Sequence, residues 1–192
     1  MLDPEALRRA LDAHPCRSIV VGGQREAAVL VPVLLQEEQE YLLFTRRTDH
    51  LPHHQGEISF PGGARHPQDR DLLATALREA EEEIGLHPAD VTTVGRLDDF
   101  ASVHNFHVVP FVGLISWPYP LRPCPQEIAE VIVLPLAAFS DPTIYRQENW
   151  QHRGRSCPVD FYTVGGHVIW GLTAAILRLF LQRLPPAPAE IR

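Results

Sequence analysis

A mixed β-sheet held between helices, an α+β arrangement, is the fold that this sequence predicts. Three features of the hydropathy pattern predict it. Short apolar, partly β-branched runs recur along the chain, a strongly amphipathic stretch lies among them at residues 72–84, and the two kinds of segment do not strictly alternate.

Residues 4–13 read as a short amphipathic helix with Leu7, Ala10 and Leu11 on one side. Residues 27–35 and 41–45 read as two strands joined by the polar turn Gln36-Glu37-Glu38-Gln39-Glu40. Ile58-Ser59-Phe60 is a strand end that breaks at Pro61-Gly62-Gly63. The helix over 72–84 places Leu72, Leu73, Ala76, Leu77, Ala80 and Ile84 on one face. Asp69 or Asp71 can cap its start, and Gly85 stands where a left-handed C-terminal cap belongs. Strands follow at 91–97, 107–115 and 131–134, then a strand at 167–170 and a helix at 172–184. The tail 185–192, with Pro185, Pro186 and Pro188, cannot continue that helix and is expected to fray.

The 192 residues fit a single domain, 1–192, with enough length to bury a core. Apolar content of 45% and charged content of 21% are those of a globular chain. A net charge of -7 argues against a nucleic-acid binder, which needs a basic face, but not against one phosphorylated small molecule. The cationic side chains are arginines, suited to two-point phosphate contacts. Cys16, Cys124 and Cys157 form no CxxC pair, so neither a zinc site nor a disulfide framework is indicated. No cationic segment followed by an apolar run opens the chain, and the most apolar stretch, 168–184, is short and carries Arg178, Gln182 and Arg183. A soluble cytoplasmic protein with no membrane partner is the expectation.

The chemistry is carried by Arg78-Glu79-Ala80-Glu81-Glu82-Glu83-Ile84-Gly85-Leu86. Glu79, Glu82 and Glu83 stand at i, i+3 and i+4, so their carboxylates gather on one helix face, opposite the apolar stripe and so outward from the core. Like charges at this spacing repel, and they crowd the turn where the helix dipole is already negative. A bound cation reverses that cost, and oxygen-only ligands suit a hard ion, Mg²⁺ or Mn²⁺. The turn at Gly62-Gly63 can bring a backbone carbonyl to the same ion, because it lacks side chains, and Arg78 can orient an acid.

Residues 63–86 resemble the Nudix box, G-x5-E-x7-R-E-U-x-E-E-x-G-U with U apolar. The second half matches at every specified position from Arg78 to Leu86. In the first half the pattern asks for Gly at position 64 and Glu at 70, where Ala64 and Arg70 stand; Gly63 lies one residue early with Asp69 six after it, as an inserted loop residue would produce. The resemblance implies a Nudix-type α/β/α sandwich with a mixed sheet, metal held by Glu79, Glu82, Glu83 and the Gly63 carbonyl, and water attack on a pyrophosphate phosphorus. Glu83, Glu127 and Glu130 are all open as the general base.

A second resemblance, to the coenzyme A pyrophosphatase branch, rests on several segments. They are Leu43-Phe44-Thr45-Arg46-Arg47, Leu51, His54, Gly56, Phe60-Pro61-Gly62-Gly63, Glu127-Ile128-Ala129-Glu130, Leu134-Pro135-Leu136 and Ile169-Trp170-Gly171-Leu172-Thr173-Ala174. It spans about residues 27–180 and implies cleavage of coenzyme A to 4'-phosphopantetheine and adenosine 3',5'-bisphosphate. Arg46, Arg47 and Arg65 are candidate phosphate contacts beside Gly62 and Gly63, and His53 and His54 candidate donors or acid–base groups. Trp170 reads as core, and His66 receives no role. The alternatives are a Nudix hydrolase of ADP-ribose, NADH or dinucleoside polyphosphates, or a non-catalytic metabolite sensor of the same fold.

Overall fold

The computed structural model describes residues 3–19, 22–49, 56–152 and 154–185. In chain order the elements are α1 (Pro4–Asp12), β1 (Arg25–Gln36), β2 (Gln39–Arg47), β3 (Ile58–Ser59), β4 (Gly62–Ala64), α2 (Leu72–Ile84), β5 (Thr92–Arg96), β6 (Phe100–Ala101), β7 (Phe106–Ser116), β8 (Ile128–Pro135), β9 (Tyr145–His152), β10 (Arg155–Val164), β11 (His167–Trp170) and α3 (Gly171–Gln182). The expected helices and strands are present. The β1–β2 turn is tighter than the polar run suggests: Gln36 pairs with Gln39, Glu37 takes φ 50°, and both strands extend toward it. Strands β6, β9 and β10 carry no clear alternation and are not legible in the sequence. Of the tail, residues 186–192 lie outside the described residues.

The large sheet is mixed. β1 runs parallel to β7 from Arg25–Phe106 to Leu35–Ser116, and its other pairings are antiparallel. Near the hairpin β1 pairs with β2, but the two strands then part. β3 pairs with β2 at Thr45–Ser59 and β4 pairs with β1 at Ala28–Gly63, so the chain from 58 to 64 fills the gap between them. That insertion positions the glycine turn in the middle of the sheet. A separate three-stranded antiparallel sheet joins β9, β10 and β11.

Alternation along β1 and β2 divides the core in two. Ala28, Leu30, Leu34 and Leu43 meet Ala76, Ala80 and Ile84 of α2 on one face. Val31, Val33, Leu42 and Phe44 meet Leu7 and Leu11 of α1 and Ile176, Leu177 and Phe180 of α3 on the other. Helices thus cover both faces of a mixed sheet, the sandwich that the pattern predicts. Among the described residues no helix is long and apolar enough to cross a membrane.

Candidate active site

α2 begins and ends on chemical signals in its own sequence. Asp71 caps it, accepting from the Ala74 N–H at 2.7 Å, and Gly85 closes it at φ 70°. Its remaining carbonyls are met from a distance: Arg122 N–H donates to the Ile84 carbonyl and Cys124 N–H to that of Glu83, both at 2.8 Å. The segment 117–124 is therefore a strap across the end of the acidic helix. The strap continues into a turn in which Glu127 and Ile128 donate to the Cys124 carbonyl, and Thr48 at the end of β2 donates to the Glu127 carbonyl at 2.9 Å. Glu127 is thereby anchored between α2 and β2.

The three acids do not share one environment. Glu82 points outward, with its side chain 61% exposed. Glu79, at 18%, and Glu83, at 3%, turn inward toward the glycine turn, contrary to the outward face expected of the whole triplet. The reason is β4: Gly63 lies so close that a Cβ there would sit 2.5 Å from the Glu79 carboxyl. Gly62 packs as closely on β1, where a Cβ would overlap the Ala28 carbonyl, and its φ of 157° suits glycine alone.

Two arginines offset the acids. Arg78 uses all five of its N–H donors. Nε and Nη2 grip Asp69 at 3.0 and 3.1 Å, Nη2 also donates to the Ala64 carbonyl at 3.1 Å, and Nη1 reaches Glu82 at 2.9 Å and Glu79 at 3.0 Å. Asp69, six residues after Gly63, thus holds the arginine of the helix despite the inserted residue. Its carboxyl is held well below the usual range by the hydrogen bonds from Arg78. The charge cost that looks unrelieved along the helix is therefore partly offset within the fold. Arg47, from β2, brings Nη1 to 3.7 Å from Glu83 Oε1.

Burial pushes the Glu83 carboxyl up to about 8, with the charges of Glu79 and Glu127 adding to it and those of Arg47 and the Gly62 N–H opposing. Burial raises Glu79 as well, against the pull of Arg78, while Glu82 and Glu127 push in the same upward direction. Glu127 thus acts electrostatically on both inward acids. Glu130 is turned to Arg46, which donates from Nε to Oε2 at 2.9 Å. Arg65 is drawn aside, donating to Glu26 at 2.7 Å, and lines a depression of about 390 Å³ that none of the acids of α2 borders. His53 and His54 lie outside the described residues.

A divalent cation fits this donor set on two observations. Glu83 Oε2 is buried without a hydrogen-bond partner among the described residues, and the missing Cβ of Gly63 leaves room beside Glu79. Among the described residues no three acidic, histidine or cysteine side chains already form a closed cage.

This fold and this helix match the NUDIX domain over residues 24–155. The chain is 38% identical over 160 residues to a protein of Photorhabdus laumondii named Uncharacterized Nudix hydrolase NudL, covering 83% of this chain and 85% of that one. Among solved structures it resembles a MutT/nudix family protein from Enterococcus faecalis, with a TM-score of 0.56 at 15% identity over 86% of this chain and 63% of the other. It also resembles the NUDIX domain of Shewanella oneidensis NrtR complexed with ADP ribose, with a TM-score of 0.50 at 20% identity over 62% and 78%. The chain belongs to the Nudix family. Its sequence relatives bear the name of Nudix hydrolases.

Proposed function

We propose that this protein hydrolyses the pyrophosphate bond of coenzyme A, giving 4'-phosphopantetheine and adenosine 3',5'-bisphosphate, with Mg²⁺ or Mn²⁺ at Glu79, Glu82, Glu83 and the Gly63 carbonyl. The observation that carries the hydrolytic reading is the buried Glu83, whose Oε2 has no partner among the described residues, set beside Glu79 at a glycine turn between two arginines. The choice of coenzyme A is supported by the resemblance over residues 27–180 to that branch of the family.

A bound divalent ion supplies charge neutralisation on the pyrophosphate oxygens and lowers the pKa of water. The chain does the rest. Arg78 locks the geometry of Glu79 and Glu82, its own position being set by Asp69. Arg46 and Arg47 stand at the end of β2, near the acids, where a phosphate can take their N–H donors. Arg65 reaches a phosphate only by leaving Glu26. Of the three open candidates for the base, Glu127 fits best: it faces Glu79 and Glu83 and is free of Arg46, whereas Glu130 is not. It accepts a proton from water in this reading. The cytoplasm is the proposed location.

The test is a panel of coenzyme A, ADP-ribose, NADH, a diadenosine polyphosphate and oxidised dGTP, each with Mg²⁺, Mn²⁺ or chelator. Release of adenosine 3',5'-bisphosphate from coenzyme A, abolished by chelator, is the expected result. Metal-dependent cleavage of another compound keeps the hydrolytic site and removes the coenzyme A assignment. Cleavage of none turns the reading to a metabolite sensor. Glu83→Gln is expected to cost several orders of magnitude in kcat with little loss of fold; near-normal turnover would remove the site assignment.

A further inference from the structure

The ion pair of Arg47 and Glu83 is close without being closed. Nη1 and Oε1 are 3.7 Å apart, beyond hydrogen-bond reach, and Arg47 Nε and Glu83 Oε2 are both buried without a partner among the described residues. Arg78 on the same site is the opposite case, with every donor used. Buried charged groups with unmade hydrogen bonds are costly, so this pair is poised to accept better partners than it has. The strand explains its placement. β2 slips against β8 between Arg46 and Arg47, so Arg46 stays opposite Glu130 and binds it while its neighbour reaches Glu83.

We propose that Arg47 is an exchangeable partner: it stands against Glu83 in the metal-free site, yields that group, once ionised, to the divalent cation, and carries its freed guanidinium to a phosphate oxygen of the substrate. This rests on the Nudix-hydrolase reading of the site. A guanidinium next to a carboxylate that has taken a divalent ion is repelled by it. The fork that it then presents matches two phosphate oxygens better than one carboxylate at 3.7 Å. Cation and pyrophosphate therefore bind cooperatively, each favouring the arrangement that the other requires. Arg47 is in this sense a positioning residue whose partner changes during the binding sequence.

The experiment is Mn²⁺ binding by calorimetry at about pH 8.5, where Glu83 is mostly ionised, with and without methylene bisphosphonate as a non-hydrolysable pyrophosphate. It compares the wild type with Arg47→Met, Arg47→Lys and Arg46→Met. Without bisphosphonate, Arg47→Met is expected to bind Mn²⁺ about tenfold more tightly, because the competing cation is gone. Bisphosphonate is expected to tighten Mn²⁺ binding to the wild type but not to Arg47→Met, with Arg47→Lys between the two. Without bisphosphonate, Arg46→Met, which deletes the same charge one residue away, is expected to bind Mn²⁺ within about twofold of the wild type, since partly exposed paired charges couple weakly. Unchanged or weaker Mn²⁺ binding by a folded Arg47→Met, or coupling that survives in it, overturns the exchange. Absence of Mn²⁺ binding by the wild type would overturn the hydrolytic reading of the site itself, and the exchange with it.

Discussion

Asp69 and Arg78 meet at two points, Nε to Oδ1 at 3.0 Å and Nη2 to Oδ2 at 3.1 Å, and this pair ties the middle of the acidic helix to the loop that precedes it. Thr75 and the His66 N–H complete the shell of Asp69 at 2.9 and 2.8 Å. The carboxylate is thus saturated by donors and is spoken for by the arginine.

Asp69→Asn is expected to lower stability by about 2 kcal/mol, the range for losing charge-assisted hydrogen bonds at a buried group. Because Arg78 also carries Glu79 and Glu82, turnover is expected to fall with it. Urea unfolding and kcat on the same samples check this; a stable variant with a lower kcat would instead assign Asp69 directly to the chemistry.

Gly63→Ala separates geometry from stability. A Cβ at Gly63 would meet the Glu79 carboxyl at 2.5 Å, and displacing that group by about an ångström is expected to cost on the order of a hundredfold in kcat. The fold is expected to tolerate it, since the side chain can move. Gly62→Ala, which strikes the backbone of β1 at a positive φ, is expected to lose stability as well. Equal thermal losses for the two variants would contradict this account.

Glu83 makes the metal-free protein sensitive to pH. The folded state keeps a proton on this carboxyl to about 8, whereas the unfolded chain releases it near 4.5. Between those values the folded state holds more protons, so this group's contribution to stability falls as pH rises and levels off above about 8. Urea midpoints in chelator, measured across that window, are expected to show the slope in the wild type and not in Glu83→Gln. Parallel curves would show that Glu83 ionises normally.

Glu127→Gln and Glu130→Gln are expected to differ sharply. Loss of a general base costs on the order of a hundredfold or more in kcat, the expectation for Glu127. Glu130→Gln loses its pairing with Arg46 and is expected to change turnover only a few-fold. The reverse order, measured at saturating metal, would transfer the base to Glu130.

Much of this arrangement is legible along the chain because its causes are local. The periodicity of α2, its Asp71 cap and Gly85 terminator, and the spacing of Glu79, Glu82 and Glu83 all depend on residues within a few positions of one another. The strands of the main sheet follow from their apolar runs for the same reason. β9 and β10 do not: their exposed residues obey no clean alternation, and they are held by their pairing with each other and by the packing of β10 on α3.

The division of labour among the acids was decided by tertiary structure. Helical spacing places three carboxylates on one side, but it cannot say that β4 will fill the gap between β1 and β2 and bury Glu83 and much of Glu79 while leaving Glu82 in solvent. Nor can it say that Arg47 arrives from β2, that Asp69 occupies Arg78, or that a strap from residues 122 and 124 ties Glu127 to the end of the helix. Those contacts join residues far apart in sequence. Burial and ion-pair distance set the charge of a carboxylate, and both are properties of packing, so the sequence determines which acids are present and the fold determines what each of them can do.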